Sequence, residues 1–221
     1  MTQFGEPRKS VALFDLDGTL VRGDTLLSFL VGFAKRQRRR WPIVTMPVYL
    51  GLYAARVISD RTAKECLLRS FLAGWPTEVI NDYATWFSKR WLPCRLRPEV
   101  VDRLRWHQSE QHRVVLVSAS PDVYVRTIAT ALAISEVVCT EIEVTNGVCT
   151  GVIVGDNCKG PAKLDAVCRH FGGQIPVCAY AYGDSASDLP LLTAVDNGYM
   201  WKRNGVKQQV VRAPSHFEKT I

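Results

Sequence analysis

The sequence predicts an α/β protein, a doubly wound parallel sheet with an all-helical insert after its first strand, and three observations predict it. Short apolar runs with no polar face recur at residues 11–14, 114–117 and 177–182, as strands buried on both faces of a parallel sheet require. Helical patterns fill the intervals between these runs, and residues 24–97 read as successive helices with no convincing strand among them. Each run ends at a polar residue: Asp15, Ser118 and, after Gly183, Asp184. Open α/β sheets bind ligands outside the carboxyl ends of their strands, so the three belong on one rim.

Taken in order, the first strand delivers Asp15 and is followed by the insert, residues 24–97. Asp24 and Asp60 suit helix N-caps there, while Pro42 and Pro76 suit early helical positions. An insert at this place lies over the rim as a cap. Helices are predicted over 98–112, 121–133 and 161–171. Between the last two, residues 141–154 carry Asn146-Gly147, a hairpin signal that predicts a small antiparallel appendage. The core is therefore expected to comprise 1–23 and 98–221, with 24–97 as the cap.

Composition narrows the function classes. Of 221 residues, 47% are hydrophobic and 22% charged, the balance of a folded globular chain. The seven cysteines are scattered without a Cys-x-x-Cys pair, which argues against a zinc site or a disulfide framework. With no signal-like leader at the N-terminus, the expected compartment is a reducing cytoplasm. The net charge of +7 comes largely from one run, Lys35, Arg36, Arg38, Arg39 and Arg40. A local basic run beside an apolar stretch suits anionic lipid heads at least as well as nucleic acid. Residues 41–55 are uncharged but too short to span a bilayer, and Pro42 and Pro47 interrupt them. Peripheral contact with an anionic membrane through 35–58 is one expectation, a buried cap helix the other. Trp86, Trp91 and Trp106 read as packing residues, and the four histidines have no metal or triad spacing.

Four constellations carry chemistry. In Asp15-Leu16-Asp17-Gly18-Thr19-Leu20 two carboxylates leave the first strand two residues apart, and like charges this close call for a cation between them. The next residues supply no further oxygen ligands of the kind a calcium loop needs. Thr19 offers a hydroxyl to a phosphate oxygen. Ser118-Ala119-Ser120-Pro121 places a hydroxyl and free backbone N–H groups at a helix start, a cradle for phosphate, with Ser120 as the candidate helix cap. Lys159 and Lys163 compete to place an ammonium at the start of the next helix. Finally, Gly183-Asp184-Ser185-Ala186-Ser187-Asp188 presents paired acids four apart, Asp184 as a metal ligand and Asp188 supporting it from behind or through water.

Together, in this order, these segments resemble the four motifs of the haloacid dehalogenase superfamily over about residues 10–201, most closely the subfamily of phosphoserine phosphatases and phosphatidylglycerophosphatase C. The resemblance implies a Rossmann-like core with a helical cap of the type inserted after the first strand, and Mg²⁺ held at Asp15, Asp17, Asp184 and Asp188. It implies that Asp15 is a nucleophile forming an aspartyl-phosphate and Asp17 the general acid and base, with Thr19, Ser118 and Ala119 on the phosphate. The Gly-x-x-Lys-Leu form favours Lys163 over Lys159. Asp24 and Arg22 are expected to face the substrate, either a small phosphorylated metabolite such as phosphoserine or a lipid phosphate such as phosphatidylglycerophosphate. Alternatives using the same residues are a phosphotransferase or mutase and a non-catalytic phospholipid-binding protein.

Overall fold

The computed structural model describes residues 10–176, 178–202 and 207–210. Among them, seven strands form one sheet in the order β4-β3-β2-β1-β5-β6-β7. Strand β1 (Val11–Phe14) is central, parallel to β2 (Arg113–Pro121) on one side and β5 (Ala179–Gly183) on the other, with Phe14 level with both Leu116 and Tyr182. Successive side chains of a strand point to opposite faces, and this alternation builds two cores. Ala12, Phe14, Val114 and Leu116 enter the larger, beneath the cap. Val11, Leu13, Val115 and Val117 enter the smaller, against helix α7 (Pro161–His170) and helix α8 (Leu189–Ala194). Unbroken apolar runs are thus the direct consequence of a sheet covered on both sides.

Four helices, α1 (Thr25–Arg36), α2 (Trp41–Ala54), α3 (Asp60–Leu72) and α4 (Thr77–Arg90), follow β1 with no strand among them. Asp24 caps α1 by accepting from Leu27 N at 2.8 Å. At α3 the cap is Ser59 and Asp60 is the first helical residue, while Pro76 precedes α4 as its N-cap. The chain enters and leaves this module side by side, Arg22 N donating to Arg95 O at 2.7 Å and Arg97 N to Leu20 O at 2.9 Å. Helix α5 (Pro98–Ser109) leads back to β2, and α6 (Asp122–Ala131) follows it. An aromatic cluster joins cap to core: Phe29 of α1 lies 5.1 Å from Tyr83, 5.4 Å from Phe87 and 4.5 Å from Tyr124 of α6.

The Asn146-Gly147 hairpin is not a separate appendage. Strand β3 (Glu136–Thr145) runs parallel to β2 in its first half and pairs antiparallel with β4 (Val148–Val154) in its second, so the hairpin extends the main sheet. It also grips the cap, through Gly74 N to Cys149 O at 2.9 Å, Thr77 N to Gly147 O at 2.9 Å and Ile153 N to the Glu65 carboxylate at 3.1 Å. Gly151, at φ +75°, lies so close to α3 that a Cβ there would stand 2.6 Å from Arg69 Cα. Strands β6 (Asn197–Trp201) and β7 (Lys207–Val210) complete the other edge; neither has the apolar run of a central strand. Val177, expected to begin the third strand, lies outside the described residues, and β5 begins at Ala179.

Candidate active site

The ends of β1, β2 and β5 meet the start of α7 at a half-open cavity of about 540 Å³ lined on its far side by α1, α2 and α3. Asp15 follows β1 directly, its backbone N–H donating to Tyr182 O at 2.9 Å. Its carboxylate accepts from Lys163 Nζ at 2.7 Å and from Thr19 Oγ1 at 2.9 Å. Lys163 also donates to Asp188 at 2.6 Å, and only 2% of it is exposed. A buried ammonium survives only when paired, and here two carboxylates hold its pKa above the ordinary value even though burial opposes the charge.

Gly18 makes the next step possible. At φ +80° it turns the chain out of the strand, and a Cβ there would fall 1.9 Å from Asp184 Oδ2, so the first and fourth motifs can meet only at a glycine. Oxygens of Asp15, Asp184 and Asp188 all lie within 4.8 Å of one another. Asp188 is consumed structurally: its second oxygen accepts from Ser185 Oγ at 2.8 Å and Ser185 N at 3.1 Å. Burial disfavours its ionised form, but Lys163 and Ser185 hold its pKa below the usual value. Burial, followed by the neighbouring Asp188, pushes Asp184 up to about 6. Asp15 rises to about 7, chiefly by burial, with Lys163 pulling against it.

Three carboxylates facing one ammonium leave negative charge in a buried place, and a hard cation is the partner that an all-oxygen donor set fits. Each Asp15 oxygen accepts one hydrogen bond and keeps a lone pair for a cation, and Asp184 faces the same place, with Asp188 behind them. Asp17 lies apart. Its carboxylate accepts from Thr25 N at 2.6 Å and Ser120 Oγ at 2.6 Å, and Thr25 Oγ1 is 3.0 Å from the Tyr124 hydroxyl. Its pKa is raised by burial and by Asp24, against the bonds from Ser120 and Thr25. Of the four carboxylates expected around a cation, the structure therefore brings three together and turns the Asp17 side chain towards the cap. Ser120 correspondingly is not the helix cap: Pro121 holds that position, and the Ser120 hydroxyl is spent on Asp17.

The other predicted residues divide by place. Ser118 is fully buried and accepts from Ser120 N at 3.0 Å. Ala119, Asp24 and Lys159 line the cavity, but Lys159 sits at its edge, paired at 2.7 Å with Asp60 and 40% exposed in its side chain. Arg22 is exposed and not among the cavity-lining residues. The sequence reading missed Lys64, which enters from α3 and donates to Ala119 O at 2.8 Å and to Asn157 Oδ1 at 2.5 Å. Burial lowers its pKa to about 8, against the attraction of Asp60. The available signal was its spacing from Asp60, one helical turn, on a helix placed over the rim. A larger groove of about 1200 Å³ lies at the opposite ends of the strands, where Arg113 and Glu136 already pair with each other at 2.6 Å.

Comparison with known proteins gives the family. The family model of haloacid dehalogenase-like hydrolases matches residues 12–193, from β1 through α8. The chain belongs to this family. It is 30% identical over 191 residues to protein CicA of Caulobacter vibrioides, covering 84% of this chain and 83% of that one. It is 27% identical over 208 residues to the phosphoserine phosphatase SerB2 of Mycobacterium tuberculosis, covering 93% of this chain but 47% of that protein. Among solved structures, a protein from Bordetella pertussis Tohama I, described as of unknown function, superposes with a TM-score of 0.76 at 25% identity, covering 84% of this chain and 86% of that one.

Proposed function

We propose that this family member is a Mg²⁺-dependent phosphomonoester hydrolase that works through an aspartyl-phosphate on Asp15. The observation that carries the reading is the division of labour between two neighbouring carboxylates: Asp15 in the Lys163–Asp184–Asp188 cluster, Asp17 held separately by Thr25 and Ser120. A carboxylate oxygen of Asp15 attacks phosphorus in line, forming the acyl-phosphate as the ester C–O–P bond breaks on the phosphorus side. Asp17, whose pKa burial raises, acts in its protonated form to give a proton to the leaving alkoxide, then as carboxylate takes one from the water that attacks phosphorus and regenerates Asp15. Lys163 balances the charge on the transferring group, and Thr19 fixes the Asp15 rotamer. Bound at Asp15 and Asp184, Mg²⁺ would neutralise phosphate oxygens so that an anionic nucleophile can approach.

The alcohol portion of the substrate faces the cap. That wall is apolar at Leu26, Leu27, Leu50, Tyr53 and Leu67, with Lys64 set among the carboxylates of Asp24 and Asp60; its apolar share accommodates an organic phosphate with an apolar part and favours a lipid phosphate, met at a bilayer, over phosphoserine. The test is Mg²⁺-dependent phosphate release from p-nitrophenyl phosphate, phosphoserine and phosphatidylglycerophosphate by the wild type and Asp15→Asn. Release abolished by the substitution and by chelation supports the reading; release that persists in Asp15→Asn overturns the covalent mechanism.

A further inference from the structure

Helix α2 is unlike the other cap helices. Its inner stripe, Pro42, Ile43, Met46, Tyr49 and Leu50, packs on the larger core. Its outer stripe is apolar as well: Trp41 is 72% exposed, Val44 65%, Val48 59% and Leu52 37%. These four follow one another by three or four residues, so they share a face. Val57, 68% exposed, continues the patch beyond the helix. An ordinary solvated helix would carry charge on that side, yet no acidic or basic residue occurs from Trp41 to Ala55.

The flanks carry the charge instead. Lys35, Arg36, Arg38, Arg39 and Arg40 precede the helix and Arg56 follows it, all exposed, and no Asp or Glu occurs anywhere from Thr25 to Ser59. Lys35, Arg38 and Arg40 line a surface concavity of about 520 Å³ next to the start of α2. An apolar stripe with cations at both ends, on a stretch of chain that carries no acid, and with the neighbouring Asp60 of α3 already paired to Lys159, matches the boundary of an anionic bilayer, where acyl chains lie beneath phosphate groups. At 14 residues the helix is about 21 Å long, short of the roughly 30 Å hydrocarbon layer. No helix of the described residues is long and apolar enough to cross a membrane.

We propose that the outer face of α2 is a docking surface for anionic membranes, lying in the interface with Trp41, Val44, Val48 and Leu52 among the acyl chains and the Lys35–Arg40 run on lipid phosphates. The same helix gives Leu50 and Tyr53 to the cavity wall, so the bilayer lies about one helix diameter, roughly 10 Å, from the candidate active site. Docking itself does not depend on the proposed chemistry, and Asp15→Asn is expected to bind vesicles as the wild type does.

The experiment is co-sedimentation of the full chain with phosphatidylcholine vesicles with and without phosphatidylglycerol. Binding is expected with the anionic lipid at about 50 mM salt, at least about tenfold weaker at about 500 mM or on phosphatidylcholine alone. Val44→Asp/Val48→Asp and, separately, Arg38→Glu/Arg40→Glu should each lower it about tenfold or more, while melting temperature and p-nitrophenyl phosphate turnover stay at wild-type values. The proposal is overturned if the wild type ignores anionic vesicles at low salt, if it binds both vesicle types equally, or if both double variants bind undiminished. A wild-type dimer that Val44→Asp/Val48→Asp dissolves, with no vesicle binding, would assign the face to a second copy of the chain and also overturn it.

Discussion

Helices α1 and α2 are consecutive, similar in length and both rich in apolar residues, yet they spend those residues differently. Helix α1 buries Leu26, Phe29, Leu30, Phe33 and Ala34 against the core, whereas Pro42 is the buried residue of α2. Apolar content alone does not say where a helix sits; the completeness of its burial does. In α1 the polar positions Ser28 and Lys35 face outward, and one stripe satisfies one core. In α2 no position is charged, one stripe is used and another is left on the surface. One helix is fixed by the fold; the other is fixed only on its inner side.

That contrast can be broken by substitution. The largest expected effect belongs to neither helix but to the rim they cover: Asp15→Asn should lower kcat on p-nitrophenyl phosphate by about 10³-fold or more, because it removes the nucleophile of the proposed mechanism, as single-turnover phosphate release would measure. Phe29→Ala, at the centre of the cap–core cluster, should cost about 3–5 kcal/mol in denaturant unfolding, whereas Val48→Ala on the outer face of α2 should stay within about 0.5 kcal/mol. Equal losses at the two sites would mean that the outer face is packed in the folded chain.

Smaller effects sharpen the same division. Lys64→Met removes the cation that the cap extends over the rim, and should raise KM for an organic phosphate roughly tenfold, worth about 1.4 kcal/mol of binding, with kcat little changed; an unchanged KM would remove Lys64 from the substrate's surroundings. Asp184 adds a pH signature. Its folded pKa, raised by burial and Asp188 from the ordinary carboxylate range to about 6, marks a contribution that is fully present below about pH 4 and lost as pH rises through about 6. Cation binding requires the ionised carboxylate. The rise in melting temperature on adding Mg²⁺ should therefore be absent near pH 4 and grow as Asp184 and then Asp15 ionise, through about pH 6 and about pH 7, reaching its full size by about pH 8, which a thermal melt series with and without chelator would follow.

Much of the framework was legible because its physical cause is local. Residues 11–14 and 114–117 had to be buried on both faces, and Asp15, Ser118 and Asp184 stand at strand ends where chain direction alone assigns them to one rim. The alternation of strand and helix carried the parallel core. What stayed hidden depends on partners far away in sequence. Strand β7 is three parts polar, Lys207-Gln208-Gln209 before Val210, and belongs to the sheet only because β6 offers it an edge. Ser120 looked like a cap because it precedes Pro121; its bond to Asp17, 103 positions earlier, sets its place instead. Lys64 could be recognised only once α3 was over the cavity. For residues 35–58 the sequence left a buried cap helix and a membrane contact both open, because which apolar positions of α2 are packed is set by partners in other helices.

Between β4 and α3 the closeness of Gly151 to the Arg69 backbone has a mechanical reach beyond the hairpin. Helix α3 also carries Asp60 and Lys64, one holding Lys159 at the edge of the cavity and the other entering above Ala119. The helix is the beam on which the cap's polar groups are mounted, and Gly151 is where that beam rests. A single methyl group there would lift α3 by about an ångström to regain ordinary contact distance, and misplacement of that size at a reacting centre can cost about a hundredfold in rate. The gap between the two halves of the site is thus gauged by a hydrogen atom at position 151, in a strand that contributes no residue to the cavity.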